Sequence, residues 1–407
     1  MSAIVPVLGR SERRVAAIRY VEGLLMEGQR KSIEPLAARL GVDGQSLQQF
    51  VSASPWEEEK VWSSIRREIV AHIEPFESWI VDETGWLKQG EHSVGVARQY
   101  CGAVGKNANC QVNVQLAVSD GVVAAPIGAR LFLPESWISD TERRDKAGVP
   151  KELGYATKAQ IALQLIEEAL VDEVQPAPIL GDSIYGDSWH FRQALRERGL
   201  EFFLQVSANL HQGWAGPIRT VKSRTKTHPH PDEPPPQSLE ELIAGLKAQQ
   251  FKNATWKASD GSTKRTRLAW LKVYLSRALF YHAKEPEAVW LVVDWPIEAK
   301  EPYNVYLAHL HRAPSSARCL RLSRSRWQIE QYFQRSKDDL GLDHYEGRFW
   351  RGFHHHLALS ALAYLFILTC WLRSKKNFFS HVGADAPLDS ATLAETHRLL
   401  PILSNQV

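Results

Sequence analysis

Three acidic residues sit where an apolar run or a helical pattern meets polar sequence. Asp82 follows Trp79-Ile80-Val81, Asp182 follows Pro178-Ile179-Leu180, and Glu330 lies in RLSRSRWQIEQYFQRSKDDLGLD. Two aspartates that end neighbouring strands can stand side by side at one edge of a sheet, and a helix across that edge can bring a glutamate to them. Hard oxygen donors of this kind suit Mg2+ or Mn2+. On a helix, Arg326, Glu330, Phe333 and Lys337 share one face, so the glutamate is bracketed by cations. A face of that composition offers a carboxylate to a metal and positive charge to phosphate oxygens. The same residues also allow plainer roles. Strand-end aspartates cap turns, and Glu330 can pair with Arg326 at i−4, an exposed contact of about 0.3–0.5 kcal/mol. His228, His230 and His354–His356 lack the H-E-x-x-H spacing of a zinc helix and read as a loop and a helix start.

The elements that must hold these residues follow from periodicity. Val15, Ile18, Val21, Leu24 and Leu25 fall on one face of a helix opening at Ser11. SIEPLAARLGVDGQSLQQFV then reads either as a helix-turn-helix, with Gly41 ending the first helix and Gly44-Gln45-Ser46 opening the second, or as a helical hairpin that only packs. Trp79–Val81 predicts a strand that ends in a polar turn at Asp82–Gly85. Ser93–Tyr100 and Cys110–Val118 alternate as half-buried strands do, and Val122–Leu133 continues them as a third, an antiparallel meander. Thr157–Asp172 predicts a Thr-capped amphipathic helix. A strand into Asp182, a helix over Trp189–Arg198 and a strand over Phe202–Val206 follow. That order fits a mixed α/β sheet.

Residues 208–312 break the rhythm. Their loop THPHPDEPPPQ excludes a central strand or a helix interior, and strand-like runs at Leu268–Tyr274, Ala288–Asp294 and 303–310 make the segment a mostly β insertion. Pro314 and Ser315 open a helical region. Leu357–Leu372 is apolar but short of the about 20 residues of a membrane span, so a buried core helix is expected and no membrane.

Composition excludes the extremes. The chain has 407 residues, 44% hydrophobic and 23% charged, which argues against wholesale disorder and coiled coil. Forty-nine Lys and Arg against 46 Asp and Glu leave any basic surface local. Four cysteines without a C-x-x-C pair argue against a zinc ribbon or disulfide scaffold and fit a reducing cytosol. No secretory signal opens the chain. The expected organisation is a helical N-terminal region at 1–72, a first catalytic part at 73–207, the insertion at 208–312, helices at 313–376 and a tail at 377–407.

Five blocks in order carry a resemblance: WIVDETGWLKQGEHSVGVARQYCG, LPESW at 133–137, KAGVP at 146–150, GDSIYG at 181–186 and RWQIEQYFQRSKDDLGLDHYEGRFW. Together they resemble the signature blocks of bacterial insertion-sequence transposases of the DDE superfamily, from about residue 11 to 373. The resemblance implies a ribonuclease-H-like α/β core whose β-rich insertion lies between the second Asp and the Glu. It makes Asp82, Asp182 and Glu330 the catalytic carboxylates and ligands of two Mg2+ ions, Mn2+ substituting. The related signature Y-x2-R-x3-E-x6-K is met by Arg326, Glu330 and Lys337, with Ser323 at the Tyr position. Glu83 follows Asp82 directly. Side chains alternate along a strand, so only one of the two is expected to face the metals, and Asp82 is favoured. Almost nothing precedes the first helix, so the N-terminus is expected to be short relative to the proteins it resembles.

What the resemblance implies is metal-dependent cleavage of DNA at element ends and transfer of the freed strand to a target, without a covalent protein–DNA intermediate. Arg326 and Lys337 would grip phosphates, with Lys88, Arg98 and Lys106 as further backbone contacts and Trp86 among the aromatics that could stack on a flipped base. The N-terminal helices would recognise terminal inverted repeats, two copies would pair in the synaptic complex, and the protein would act in the bacterial cytoplasm, on the nucleoid when bound. Two other readings remain open at this point: a domesticated, inactive DNA-binding relic, and a metal-dependent nuclease that cuts without joining.

Overall fold

The computed structural model describes residues 4–378 apart from positions 74, 225, 259–260, 282 and 303, so nearly all of the tail expected at 377–407 lies outside the described residues. Strand β1 runs Ser78–Leu87, straight through the expected turn at Asp82–Gly85. The tetrapeptide stays extended because it is paired residue for residue with β3, Lys106–Ser119: Asp82 faces Gln115 and Gly85 faces Val112. Polar residues hold a central strand when their side chains find partners, and these do.

On its far side β3 pairs antiparallel with β2, Ala97–Cys101, and with β4, Ala124–Phe132. The extended run expected from Ser93 narrows accordingly to 97–101. β5, Ile179–Gly181, runs parallel to β1, and β6, Phe202–Gln205, parallel to β5. An antiparallel meander continued by two parallel strands is the ribonuclease-H-like sheet. Alternation in β3 pointed to one wet face. Instead Gln111, Asn113 and Gln115 are wholly buried. They form a polar ladder: Gln115 donates to Asn113 (2.7 Å), Asn113 to the Thr84 carbonyl (3.2 Å), and Tyr332 donates to Gln115 (2.9 Å).

The N-terminal helices are α1 (Ser11–Leu25), α2 (Ile33–Leu40), α3 (Gly44–Ser52) and α4 (Glu58–Ile73). Gly41 ends α2 at φ 63°, a left-handed turn that favours glycine, and Asp43 caps α3 through the Gln45 and Ser46 N–H groups. After β4 come the short α5 (Glu135–Ile138) and α6 (Thr141–Ala147), then α7 (Lys158–Val171), opened by a Thr157/Gln160 capping box. α8 (Ser183–Gly186) and α9 (Trp189–Glu197) lie between β5 and β6.

The insertion extends the same sheet. It contains β7 (Gln212–Trp214), the small pair β8 (Thr220–Lys222) and β9 (Thr227–Pro229), then β10 (Gln237–Ser238), α10 (Leu239–Ala244), β11 (Lys252–Lys257), β12 (Thr263–Leu275), α11 (Arg277–Phe280), β13 (Glu287–Pro296) and β14 (Asn304–His309). Because β14 pairs with β6, the order among the described residues is β10-β7-β12-β13-β14-β6-β5-β1-β3, with β2, β4 and β11 beside their partners. Three helices close the described part of the chain: α12 (Ser316–Ser325), α13 (Trp327–Asp338) and α14 (Trp350–Phe378).

By length and composition α14 could cross a membrane over Trp350–Leu372, but most of that stretch is buried inside the protein. It packs on α1, α3, α4 and β4. Starting at Trp350, it takes the His triplet into its first turns. There His355 meets the Val51 and Trp56 carbonyls (2.8 and 2.9 Å) and His356 meets Tyr20 (2.8 Å), with all three histidines held to about 4 by burial. His355 and His356 tie the N-terminal helices to the core, and all three are neutral at pH 7.

Candidate active site

Asp82, Asp182 and Glu330 come from three elements and border one cavity of about 560 Å³. Asp82 sits mid-strand on β1 rather than at a strand end. Asp182 does end β5, where it caps α8 by accepting the Ile184 N–H at 2.9 Å. Gly186 closes that turn against β6. A Cβ there would meet the Gln205 carbonyl oxygen at 1.8 Å, so the close approach requires glycine. Glu330 is set by α13, whose Ile329, Tyr332, Phe333 and Ser336 are buried beneath it.

Arg326 joins the carboxylates. Its guanidinium reaches Asp82 at 3.1 Å and Glu330 at 2.6 Å, one cation shared between two elements. Asp182 makes no ion pair among the described residues. Burial pushes the Asp82 carboxyl up to about 8, with the charges of Asp182 and Glu83 adding to it and Arg326 opposing. Burial and then Glu83 lift Asp182 to about 6. Burial draws Arg326 down, but Asp82, Glu330 and Asp182 outweigh it and raise its pKa. The cavity holds more negative charge than its cations neutralise.

That donor set fits divalent ions. It is all oxygen, it is partly desolvated, and two of its members already accept a cation between them. Among the described residues no three acidic, His or Cys side chains yet close around a common point. The Arg326 guanidinium occupies the space between Asp82 and Glu330.

Lys337 lies on the same cavity, its ammonium on the Gly85 carbonyl at 3.1 Å, with its pKa lowered by burial. Lys88 and Arg98 are elsewhere. Lys88 donates to the Tyr345 carbonyl, and burial lowers it to about 8. Arg98 borders a second cavity with Glu91, Asp140 and Arg143. Trp86 shares the strand face of Asp82 but is fully buried against Phe353 and His356 of α14, so it presents no face to a base. Among the described residues, the exposed aromatic on the acidic cavity is Tyr100, at 56% exposure.

Glu83 departs from expectation in another way. It turns away from Arg326, accepting from Lys158 (2.7 Å) and Tyr185 (3.0 Å), as alternation requires. Yet it also borders the cavity and lifts Asp182. Both acids of the pair therefore shape the site. No spacing in the sequence links Glu83 to Lys158 or Tyr185, because the partners meet only through the sheet and the helices packed on it.

A family model described as DDE superfamily endonuclease matches residues 4–266, more than half of the chain. The match ends before Glu330, whose place in the site rests on α13. A probable transposase for insertion sequence element IS701 from Microchaete diplosiphon is 28% identical over 203 residues, 48% of this chain and 50% of that protein. The chain thus spans about half the length of the curated relative it matches. With the ribonuclease-H-like sheet, the acidic cavity and this match taken together, the chain belongs to the DDE superfamily of endonucleases.

Proposed function

We propose that the protein is a DNA transposase that cleaves strands at the ends of an insertion sequence and joins them to target DNA. The observation that carries this reading is the convergence of Asp82, Asp182 and Glu330 on one cavity with Arg326 and Lys337 beside them. Asp82, Asp182 and Glu330 would hold two Mg2+ ions, or Mn2+ in their place. When bound, the ions would supply Lewis acidity and an activated water at a phosphodiester. Arg326, on yielding its two carboxylates, offers a fork of donors to phosphate oxygens. Lys337 has only a carbonyl to leave. Lys158 and Tyr185 hold Glu83 so that its carboxylate stays fixed beside Asp182. Tyr100 offers a stacking face at the rim.

End recognition is assigned to α2 and α3. The second of these helices exposes Gln45, Ser46, Gln48 and Gln49, polar side chains of the kind that reach base edges. Two element ends call for two copies of the chain in the synaptic complex. Cys101, Cys110 and Cys319, buried and free, suit the bacterial cytoplasm, where the nucleoid lies.

The test is a plasmid carrying two element ends, incubated with Mg2+ and either wild-type protein or Asp182→Ala. Wild type is expected to cut and join, whereas the variant binds but does neither. Cutting without joining would make the protein a nuclease, and binding alone would make it a relic. Full joining by Asp182→Ala would sink the site assignment.

A further inference from the structure

Between Glu201 and Asp232 the chain has no acidic residue, and Arg219, Lys222, Arg224 and Lys226 crowd its second half. The structure folds this stretch into a ribbon of its own. β8 and β9 pair antiparallel, Thr220 opposite Pro229 and Lys222 opposite Thr227, apart from the main sheet. The turn closes where the Ser223 N–H donates to the Lys226 carbonyl at 2.8 Å. Glu233 holds Arg219 at the base, at 2.9 Å. Lys222, Arg224 and Lys226 are exposed and have no carboxylate partner among the described residues.

We propose that this ribbon is a DNA-binding arm that grips the phosphates flanking a groove of the duplex whose other end lies in the catalytic cavity. The inference rests on the endonuclease reading of that cavity. Three features favour duplex DNA over a protein partner. The ribbon carries cations and the hydroxyls of Thr220 and Ser223, the groups that contact phosphates. Its single exposed apolar residue, Val221, is far from the aromatic anchors that hold protein interfaces. A two-stranded ribbon also fits the major groove.

Position agrees with this. The ribbon is spliced between β7 and β10 at the far edge of the sheet, with β12, β13, β14, β6 and β5 between β7 and β1. Six inter-strand spacings of about 4.8 Å, about 29 Å in all, separate β7, from which the ribbon departs, from the strand of Asp82. At about 3.4 Å per base pair that is the length of about eight or nine base pairs, a span one bound duplex covers.

The experiment compares full-length wild type with the triple variant Lys222→Ala, Arg224→Ala, Lys226→Ala. Binding to a random-sequence duplex of about 40 bp is followed by fluorescence anisotropy without metal, from about 50 to about 200 mM salt. The variant is expected to flatten the slope of log affinity against log salt by about 2–3, since each lost phosphate contact removes about 0.9. Circular dichroism melting should be unchanged, and on a defined duplex carrying an element end the variant should lose hydroxyl-radical protection that wild type gives at backbone positions away from the cut. If wild type binds and cuts but the variant keeps its slope and footprint, the arm assignment is wrong and an acidic protein becomes the occupant to seek. If wild type neither binds nor cuts duplex DNA, the endonuclease reading fails and takes the arm with it. Should the triple variant melt early, Lys226→Glu alone repeats the comparison at the turn.

Discussion

Two arginines in this molecule are paired with carboxylates in opposite styles. Arg192 of α9 meets Glu287 of β13 with two nitrogens on two oxygens, at 2.9 and 2.7 Å, both side chains 0% exposed. A further nitrogen of Arg192 donates to the Gly186 carbonyl. Arg326 instead divides itself between Asp82 and Glu330, on separate elements, and leaves Asp182 outside any ion pair among the described residues. The first cluster is closed: each charge has its partner, and the turn that carries Asp182 is bolted to the insertion. The second is left short of positive charge. Fold and chemistry thus use one pairing for different ends, and the imbalance suits the divalent ions proposed for this cavity.

The largest expected effect comes from the unbalanced cluster. Asp182→Ala should cut cleavage by at least about a thousandfold, because several kcal/mol of metal assistance converts at about 1.4 kcal/mol per tenfold. DNA binding and melting temperature should stay near wild type. Gel assays of cleavage and anisotropy of binding, run on the same preparation, check both halves. A variant that lost binding in step with cleavage would make Asp182 structural and erase the contrast with Arg192.

Glu287→Ala should do the reverse. It strands a buried guanidinium, and breaking such a pair costs about 3–5 kcal/mol. Urea denaturation should record the loss. Any activity that survives should be limited by the fraction folded, not by the chemistry.

How much of this was legible beforehand depended on the range of the contacts. Local signals worked. Thr157 announced α7, Gly41 and Gly44 framed the α2–α3 turn, and the spacing of Arg326, Glu330, Phe333 and Lys337 placed them on one face of the cavity. The reading of DETG as a turn failed because the partners that keep it extended, Gln115 across the sheet and Arg326 from α12–α13, are distant in sequence. Alternation in β3 misled for a related reason. It reports which residues share a face, not whether a helix covers it, and Tyr332 of α13 caps the polar face. Trp86 read as an available aromatic until α14 was seen to cover it. The Arg192–Glu287 pair had no sequence signal at all.

A smaller effect follows from pH. Asp82 and Asp182 have pKa values raised to about 8 and about 6, so between about pH 4 and pH 8 these two groups hold more protons in the metal-free folded state than in the unfolded chain. Their own contribution to stability must then fall as pH rises through that window, while the three buried histidines act in the opposite sense up to about pH 6.5. The difference in melting temperature between wild type and Asp82→Asn, which cancels the histidines, should move against wild type from about pH 4 to about pH 8 without metal, and added Mg2+ should offset it most at the alkaline end. Cleavage should climb over the same range, since ions and protons compete for the same oxygens. A wild-type minus Asp82→Asn difference that stayed flat with pH would mean that the carboxylates are already neutralised in the fold, as in the Arg192 cluster.

The smallest effect separates Asp82 from its neighbour. Glu83 belongs in part to each style of pairing. Lys158 and Tyr185 satisfy it, yet its charge also raises Asp182. If Asp82 is the ligand and Glu83 its support, Glu83→Gln keeps a side chain able to bond Tyr185 and removes one negative charge. Asp182 then titrates closer to the ordinary carboxylate range, so the pH–rate profile should move to lower pH while the plateau rate changes by less than about tenfold. Asp82→Asn, with the same loss of one charge, should abolish cleavage. Equal losses from the two substitutions would require Glu83 to stand among the metal ligands, and the boundary between the closed and the open cluster would then run between Glu83 and Lys158 instead of between Asp82 and Glu83.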